Sequence, residues 1–358
     1  MVTILTNNYI VVGDIHFHQW TEFSKPDPEF GTDRFKEQID AMQQVFDLAR
    51  LHKATVIQVG DVFHQRATVN TLVFNKVFEL FVKNSDIETV ILRGNHDSIT
   101  NSLYSPSSIE PLGALDNVVI VSTLGEEMYS RGGLRFVYLP YGDEHEEMLD
   151  YIQNIHLNPS HTNILLGHIG VDGATSGKGN YRLNGTFTLS NLRSNDFDYI
   201  LLGHYHKRQF LDGRPNAMYL GCLNQTSFSD EGTACGVQLL SIDIEDKKNN
   251  TIEFIPIKSR MFNTINGSAI PDNIDELLET SFVRFIGSND QAKALEKLSE
   301  DIDLSTMRVM INKDYTSDMR LEIDAVSTPE EITKEYAKQH CPNAVDKALE
   351  CIALARLS

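Results

Sequence analysis

The sequence predicts an α/β fold, because short apolar strands alternate with amphipathic helical segments in the first half of the chain. Five β-branched or aliphatic runs have the length and composition of buried strands. They occupy residues 8–13, 55–60, 89–94, 163–167 and 198–203. Every run closes on a glycine, and a polar residue follows it at once. The pattern therefore predicts a sheet-and-helix core with polar chemistry at its strand ends.

Two amphipathic patterns between the early strands predict helices. The first covers residues 33–51, with Asp33 as the expected N-cap, and the second covers residues 69–83. Their apolar faces comprise Phe35, Ile39, Met42, Val45, Phe46 and Ala49, and Val69, Leu72, Val73, Val77, Leu80 and Phe81. Such faces either pack on the sheet or form an interface between copies of the chain. Residues 219–260 indicate further strands that close the core.

The last hundred residues indicate two smaller parts. Residues 281–287 and 306–312 have the pattern of strands, and residues 290–300 that of a helix, which together predict a small α+β unit. We expect the domain boundaries to follow this change. The expected domains are residues 1–262, 275–326 and 327–358.

The C-terminal segment predicts a pair of short helices. Thr328 and Glu331 have the spacing of a capping box around Pro329, and Pro342 interrupts the segment. The second helix places four apolar residues on one face, namely Val345, Ala348, Leu349 and Ile352. An amphipathic helical pair of this kind either folds back onto its own domain or binds a groove of a partner.

Composition indicates a globular protein, with 41% hydrophobic and 23% charged residues in a chain of 358. No apolar run approaches the roughly 20 residues of a membrane helix, and we expect no membrane partner. The N-terminal residues lack the features of a signal peptide. The four cysteines form no CxxC pair, which favours free thiols and a cytoplasmic location.

The formal net charge of −19 counts against direct binding of nucleic acid. Such binding is normally driven by Lys and Arg side chains that displace counterions from phosphates. The objection weakens if many of the acidic side chains bind metal, or if a basic partner supplies the nucleic-acid surface.

Aspartate, asparagine and histidine collect directly after the five predicted strands. The residues are Asp14, His16, Asp61, Asn95, His96, Asp97, His168, His204 and His206. Since ligands bind at the carboxyl ends of strands in open α/β sheets, we expect these side chains to lie together. Oxygen and imidazole donors without thiolate suit Mn, Fe, Zn or Mg, and two such ions can clamp a phosphoryl group. The spacing predicts a dinuclear metal site.

Three other signals are weaker. Residues 170–185 contain Gly, Lys and Ser but fail the spacing of a phosphate-binding P-loop, so we interpret them as a loop whose Lys178 and Arg182 are candidate phosphate contacts. His18 is either a substrate contact or a histidine on the rim of the site. The acidic residues 143–150 indicate a solvated helix face.

The motifs GDIH, GDVFH, GNHD, GH and GHYH resemble the signature of the calcineurin-like metallophosphoesterases, which implies an α/β sandwich. Within that superfamily the chain most resembles the SbcD-type DNA double-strand-break repair nucleases of cells and large phages. GDVFH, the segment YLGCLNQTSFSDEG over 219–232 and the order of the predicted domains carry this finer resemblance. Cys222 departs from it, because the family usually has Ser there.

The resemblance implies a role for each strand-end residue. Asp14, His16 and His206 would bind one divalent ion, Asn95, His168 and His204 would bind the other, and Asp61 would bridge both. His96 would stabilise the departing oxygen, with Asp97 as its orienting partner. His64 would help to place the phosphate.

The resemblance also implies activity and partners. The protein would be a manganese-dependent double-strand exonuclease and single-strand endonuclease, with Mg²⁺ as the other candidate ion. It would form a homodimer through the helices at 33–51 and 69–83. Residues 275–326 would form a capping domain, and residues 328–358 would dock an SMC-like, SbcC-type ATPase that supplies the basic DNA surface. Its role would be DNA-end processing in repair or recombination.

Two alternatives use the same residues. The first is a metallophosphoesterase that acts on small phosphomonoesters or phosphodiesters. The second is a non-catalytic scaffold that tethers DNA ends, against which the complete set of expected ligands and His96 count.

Overall fold

In the computed structural model, two six-stranded β-sheets face each other and helices cover their outer faces. The structure describes residues 7–129, 133–176, 181–183, 185–266, 273–288, 290, 307–311 and 328–355. By its internal contacts the chain separates into two compact units, Met1–Ile311 and Asn312–Ser358. The α/β fold predicted from the sequence is confirmed, whereas the expected boundaries at residues 262 and 326 remain predictions.

The strands in the described part of the chain are numbered in chain order. They are β1 (Asn8–Val12), β2 (Pro26–Asp27), β3 (Gly31–Thr32), β4 (Thr55–Val59), β5 (Thr89–Leu92), β6 (Val118–Val121), β7 (Gly125–Tyr129), β8 (Leu134–Leu139), β9 (Thr162–His168), β10 (Thr175–Ser176), β11 (Tyr181–Arg182), β12 (Tyr199–Gly203), β13 (Gln209–Phe210), β14 (Ala217–Tyr219), β15 (Gly236–Ser241), β16 (Thr251–Pro256), β17 (Met261–Asn266), β18 (Ser281–Gly287) and β19 (Met307–Ile311). All five strands predicted from the glycine-terminated runs are present, as β1, β4, β5, β9 and β12.

The helices are numbered in the same way. They are α1 (Asp33–His52), α2 (Thr71–Lys83), α3 (His145–Asn154), α4 (Ile274–Thr280), α5 (Pro329–His340) and α6 (Val345–Ala355). Short 3₁₀ turns cover Glu110–Ala114, Phe228–Asp230, Lys247–Asn249 and Pro342–Ala344. Among the described residues, no helix is long and apolar enough to cross a membrane.

The two large sheets each contain four parallel strands, with antiparallel strands at one edge of the first sheet and at both edges of the second. The first has the order β16-β15-β1-β4-β5-β6, in which β1, β4, β5 and β6 are parallel. The second has the order β13-β14-β12-β9-β8-β7, in which β14, β12, β9 and β8 are parallel. The predicted strands are therefore divided between two sheets, with β1, β4 and β5 in one and β9 and β12 in the other.

Apolar residues of the two sheets form the inner core. Val11, Val59 and Leu92 from the first sheet pack with Leu166 and Leu201 from the second. Burial on both faces explains why these strands are continuous apolar runs in the sequence. The helices α1 and α2 cover the outer face of the first sheet, and α3 covers that of the second.

The N-cap of helix α1 lies one residue earlier than the sequence analysis predicted. Thr32, and not Asp33, is the N-cap, and its hydroxyl accepts a hydrogen bond from the Phe35 amide at 3.3 Å. Asp33 instead lies in the first turn, where its carboxylate interacts favourably with the positive end of the helix dipole. Helix α2 begins at Thr71 behind an Asn70 cap, two residues later than predicted.

The small α+β unit is present in its described part. Strands β17, β18 and β19 are parallel neighbours, and Ile274 and Leu278 of α4 pack on Val283. The strands predicted at 281–287 and 306–312 are confirmed as β18 and β19. The helix predicted at 290–300 lies, apart from residue 290, outside the described residues.

The second unit contains the predicted helical pair. Thr328 caps α5 in a capping box with Glu331, as predicted. A 3₁₀ turn at Pro342–Ala344 separates it from α6. The predicted face of α6 is its half-buried side and consists of Val345, Ala348, Leu349 and Ile352.

Gln58 ties together the ends of β1 and β4. Its side chain is fully buried, and its Nε2 donates hydrogen bonds to the carbonyl oxygens of Gly13, at 2.6 Å, and Gly60, at 2.9 Å. Since Asp14 and Asp61 follow these two glycines, this side chain fixes the spacing of two polar strand ends.

We expect Gln58→Leu to lower the free energy of unfolding by about 1–3 kcal/mol, because two buried carbonyl oxygens lose their donor. Gln238→Leu is the matched control, since Gln238 is also buried but its Nε2 has no hydrogen-bond partner among the described residues. Urea unfolding measures both variants. An equal decrease in the free energy of unfolding in both variants would show that the carbonyl contacts of Gln58 do not stabilise the protein.

Candidate metal centre

The strand ends of both sheets bring seven potential metal ligands into one cluster, which we call the metal centre. Two residues follow β1, one follows β4, one follows β5, one ends β9 and two follow β12. In chain order they are Asp14, His16, Asp61, Asn95, His168, His204 and His206. The structure therefore brings together every residue that the sequence analysis assigned to metal binding, and the individual metal-binding roles remain predictions.

Three of these ligand residues hold a left-handed backbone that non-glycine residues rarely adopt. The φ angle is 56° at His16, 51° at Asp61 and 95° at His204. Such conformations cost of the order of 1–3 kcal/mol each and persist where the surrounding structure fixes them. The strand ends turn sharply at these residues, which places their side chains in the cluster.

Gly60 is needed for close packing at the centre. Its φ is 85°, and a β-carbon added there would lie 2.0 Å from Nδ1 of His168. The glycine before Asp61 therefore leaves the space that the His168 ring occupies. This explains one of the strand-terminal glycines in the sequence.

Asp14, His16 and His206 form the first ligand group, and their ligand atoms lie within 4.8 Å of one another. Nε2 of His16 is 2.9 Å from Nε2 of His206. Two imidazole nitrogens that converge with a carboxylate are a common arrangement for binding one metal ion.

Asn95, His168 and His204 form the second ligand group. Oδ1 of Asn95 is 3.0 Å from Nε2 of His168 and 3.0 Å from Nδ1 of His204. The amide oxygen adds a donor atom without adding negative charge, so a bound ion would keep most of its electrophilic character.

Asp61 lies between the two groups. Its Oδ2 is 3.5 Å from Nε2 of His16 in the first group and 3.3 Å from Nε2 of His168 in the second. A carboxylate in this position can bridge two ions. The donor set of two carboxylates, one amide and four imidazoles therefore fits two divalent ions, with no thiolate among the seven donors.

The charges of the carboxylates and imidazoles in the metal centre compensate one another. Asp14 and Asp61 are at most 2% exposed. Burial by itself would lower the pKa of His168, but Asp61 and Asp14 outweigh it and raise the pKa to about 9. Burial opposes ionisation of Asp61, yet His168 and His16 hold its pKa well below the usual range. Bound divalent ions would balance the carboxylate charges in place of protonated imidazole, and the imidazole would lose that proton.

Burial keeps His204 neutral. Desolvation and the neighbouring charge of His168 lower the pKa of His204 to about 3. A neutral imidazole is the form that binds metal, so this side chain would bind an ion without losing a proton.

His96 lies beside the first ligand group. Its ring centroid is 4.7 Å from that of His16, and its backbone N–H donates to Oδ1 of Asp61 at 2.8 Å. Its Nδ1 is 2.5 Å from the carbonyl oxygen of His64. Because a carbonyl only accepts, Nδ1 carries the proton there, and Nε2 is the nitrogen left for proton transfer.

His64 stacks on the ring of His96, with centroids 5.4 Å apart and planes at 19°. Burial and the neighbouring histidines lower the pKa of His64 to about 4, so the ring is neutral at pH 7. Its contribution to placing a phosphate would therefore be a hydrogen bond rather than a positive charge.

The expected role of Asp97 as the orienting partner of His96 is wrong. Its two carboxylate oxygens accept hydrogen bonds from the backbone N–H groups of Gly94, at 2.9 Å, and Phe63, at 3.0 Å. The His64 carbonyl orients the His96 ring instead. Asp97 thus shapes the turn after β5, and burial together with Asp61 raises its pKa to about 7.

The other residues that the sequence analysis singled out do not belong to the ligand cluster. The ring of His18 contacts those of Trp20 and His64 at centroid distances of 5.0 Å. The exposed Arg182 lies 3.5 Å from the Asp172 carboxylate. Lys178 lies outside the described residues. Cys222 is buried, and its Sγ is 3.7 Å from that of Cys235, so both are free thiols.

Sequence reasoning missed Asp230, whose carboxylate lies 3.2 Å from Nδ1 of His206. The residue lies within the segment 219–232, but the local sequence around a loop aspartate does not indicate which side chain it contacts. Sequence reasoning also missed Tyr141, whose ring centroid is 5.8 Å from that of His204.

Comparison with protein families identifies the class of this site. Residues 8–208 match the family model for calcineurin-like phosphoesterases, which is more than half of the chain. The chain therefore belongs to the calcineurin-like phosphoesterases and is a metal-dependent hydrolase of phosphoesters. The family match fits a centre for two divalent ions.

Solved structures give more distant likenesses. The chain is similar to a dimetal phosphatase from Danio rerio, with a TM-score of 0.43 and 12% identity over 69% of this chain and 95% of that one. It is also similar to a protein from Thermus thermophilus, with a TM-score of 0.40 and 11% identity over 70% of this chain and 98% of that one. No curated protein matches.

We expect Gly60→Ala to reduce the metal content of the purified protein from two ions per chain to about one, because the added methyl group displaces His168 of the second ligand group. Gly213→Ala is the matched control. Gly213 has a φ of 67°, but apart from its chain neighbours no described residue has an atom within 4 Å of the position that a β-carbon would take there. That variant should carry only the backbone strain, about 1–2 kcal/mol, and retain its metal. Elemental analysis distinguishes the two. Full metal content in both variants would contradict the close packing described for Gly60.

Proposed function

We propose that the protein is the nuclease subunit of a DNA-end-processing complex in double-strand-break repair or recombination. In this proposal it uses two manganese ions to hydrolyse DNA phosphodiester bonds. It acts as an exonuclease on double-stranded ends and as an endonuclease on single strands. The sequence resemblance to SbcD-type nucleases supports this choice within the family.

The observation that carries the proposal is the stacked pair of His64 and His96 beside the metal centre. His64 follows the bridging residue Asp61 by three positions, which is the GDVFH feature of the nuclease branch. In the structure its carbonyl oxygen lies 2.5 Å from Nδ1 of His96, which supports the proposed role of His96 in proton transfer.

The chain's own residues supply positioning and proton transfer. Two bound divalent ions would polarise the scissile phosphate and lower the pKa of a water molecule. His96 would then protonate the departing sugar oxygen through Nε2, because Nδ1 is engaged by the His64 carbonyl. His64, neutral at pH 7, would donate a hydrogen bond to a non-bridging phosphate oxygen.

The negative charge of the chain fits this proposal if a partner provides the basic surface. We propose that an SMC-like, SbcC-type ATPase binds residues 328–358. The helical pair exposes large apolar side chains, with 38% of Ile332, 56% of Tyr336 and 60% of Leu354 accessible. Such side chains on an amphipathic helical pair are suited to a groove on a partner.

We also propose that the chain forms a homodimer through α1 and α2. Their buried faces pack on the first sheet, so this interface would use their outer residues. Leu51 and Val82 are exposed there, by 74% and 46%. Sedimentation equilibrium would detect a monomer if this proposal is wrong.

Membership of the family is equally compatible with a phosphoesterase that acts on small phosphomonoesters or phosphodiesters. A comparison of two substrates separates these functions. The nuclease proposal requires Mn²⁺-dependent cleavage of a linear DNA duplex, with the SbcC-type ATPase and ATP added in parallel reactions. Hydrolysis of an aryl phosphate diester without any cleavage of DNA would identify the alternative.

We expect His96→Ala to lower the rate of DNA cleavage about 10²–10⁴-fold, which is the usual contribution of a general acid. The metal content should remain two ions per chain, because His96 is outside the proposed ligand set. His156→Ala is the control, since His156 is exposed. Unchanged cleavage by His96→Ala would contradict the role of His96, and a metal-loaded wild type inactive on every phosphoester would favour a scaffold.

We expect Ile332→Asp with Leu354→Asp to abolish binding of the SbcC-type ATPase without loss of Mn²⁺-dependent hydrolysis of an aryl phosphate diester. The two charges would have to be buried in the partner's groove, which costs several kcal/mol. Ile244→Asp is the control, because Ile244 is an exposed apolar residue of the first unit. Retained binding in a pull-down would show that this surface is not the docking site.

A further inference from the structure

The carboxylate of Asp230 faces the ring of the metal-centre residue His206. Oδ1 and Oδ2 lie 3.2 Å and 3.3 Å from Nδ1 of His206. Asp230 is only 6% exposed, so its carboxylate is largely shielded from water. Nε2 of the same ring points the other way, to 2.9 Å from Nε2 of His16 in the first ligand group.

The backbone around Asp230 holds its carboxylate in place. Oδ2 accepts hydrogen bonds from the backbone N–H of Thr226, at 2.9 Å, and from its hydroxyl, at 2.7 Å. The neighbouring Glu231 accepts from the backbone N–H and hydroxyl of Thr264 in β17. The turn at Phe228–Asp230 is therefore fixed on both sides, and the position of the carboxylate does not depend on His206.

A histidine that binds metal through one nitrogen must keep the proton on the other. Without a partner for Nδ1, the neutral ring can carry its proton on either nitrogen, and only one of these tautomers leaves Nε2 free. A carboxylate on Nδ1 stabilises the proton there and raises the basicity of Nε2. The geometry around His206 matches this arrangement.

We propose that Asp230 is a positioning residue of the metal centre, which fixes the tautomer and the ring orientation of His206. Through His206 it would set the affinity of the ion that Asp14, His16 and His206 bind. This inference rests on the metal centre of the phosphoesterase family and is independent of whether the substrate is DNA.

Geometry alone also allows a second use of the same atoms. Ligand atoms of His206, Cys222 and Asp230 lie within 4.8 Å of one another and could themselves hold an ion. The hydrogen bonds of Asp230 favour the positioning role, because Oδ2 is already engaged by Thr226. Cys222→Ser separates the two uses, since a positioning role needs no ligand at Cys222.

Calorimetric titration of the metal-free protein with Mn²⁺ tests the proposal without any substrate. We expect one of two binding events to weaken about 10–100-fold in Asp230→Ala, with the other unchanged. Asp230→Asn keeps an acceptor oxygen without the charge and should lose less. Glu245→Gln, at an exposed carboxylate of the same unit, and Cys222→Ser should bind as the wild type does. Equal affinities in wild type and Asp230→Ala would overturn the proposal, as would a lower metal stoichiometry in Cys222→Ser.

The tautomer of His206 provides a second readout that a purely structural role would not change. In Zn²⁺-loaded protein, two-bond ¹H–¹⁵N spectra should show the proton of His206 on Nδ1 in the wild type. In Asp230→Ala the resonances should shift toward a mixture of tautomers, while those of His168 stay unchanged. If Asp230→Ala does not fold, Asp230→Asn carries the test. An unchanged tautomer together with unchanged Mn²⁺ affinity in that variant would overturn the proposal.

Discussion

The burial of two aspartates between facing sheets is the constraint on which the rest of the structure depends. Asp14 and Asp61 end neighbouring parallel strands and are almost completely excluded from water. Buried carboxylates are costly unless cationic or hydrogen-bonding groups surround them. In this protein the second sheet supplies such groups, as His168 ends β9 and His204 and His206 follow β12. The packing of the two sheets thus builds the metal centre and also supplies the groups that stabilise the buried carboxylates.

The burial of the two aspartates also constrains the backbone around them. His16, Asp61 and His204 hold left-handed conformations, and Gly60 leaves the space that the His168 ring needs. Gln58 holds the carbonyl oxygens before the two aspartates. Strain of this kind is stable only because the inner core on both sides fixes the strands. The strained backbone of the metal centre therefore lowers the stability of the fold, and the packing of the two sheets offsets this loss.

Sequence reasoning could predict what depends on local pattern. The strands and the ligand residues were predictable because a β-branched run, a glycine and a polar residue occur in the same order five times. The division of the strands between two sheets does not follow from local pattern, since it depends on which apolar faces meet. The role of Asp97 was wrong because adjacency to His96 says nothing about side-chain direction, and its oxygens bind backbone N–H groups of Gly94 and Phe63. Asp230 was missed because its contact with His206 spans 24 positions of irregular chain.

We propose that Asp61 joins two metal ions into one centre. Electron paramagnetic resonance of the protein loaded with two equivalents of Mn²⁺ distinguishes one joint centre from two separate sites, because ions about 3.5–4 Å apart share a bridging ligand and couple magnetically. We expect the spectrum of an exchange-coupled manganese pair, which Asp61→Asn abolishes. Independent six-line signals of isolated Mn²⁺ in the wild type would contradict it.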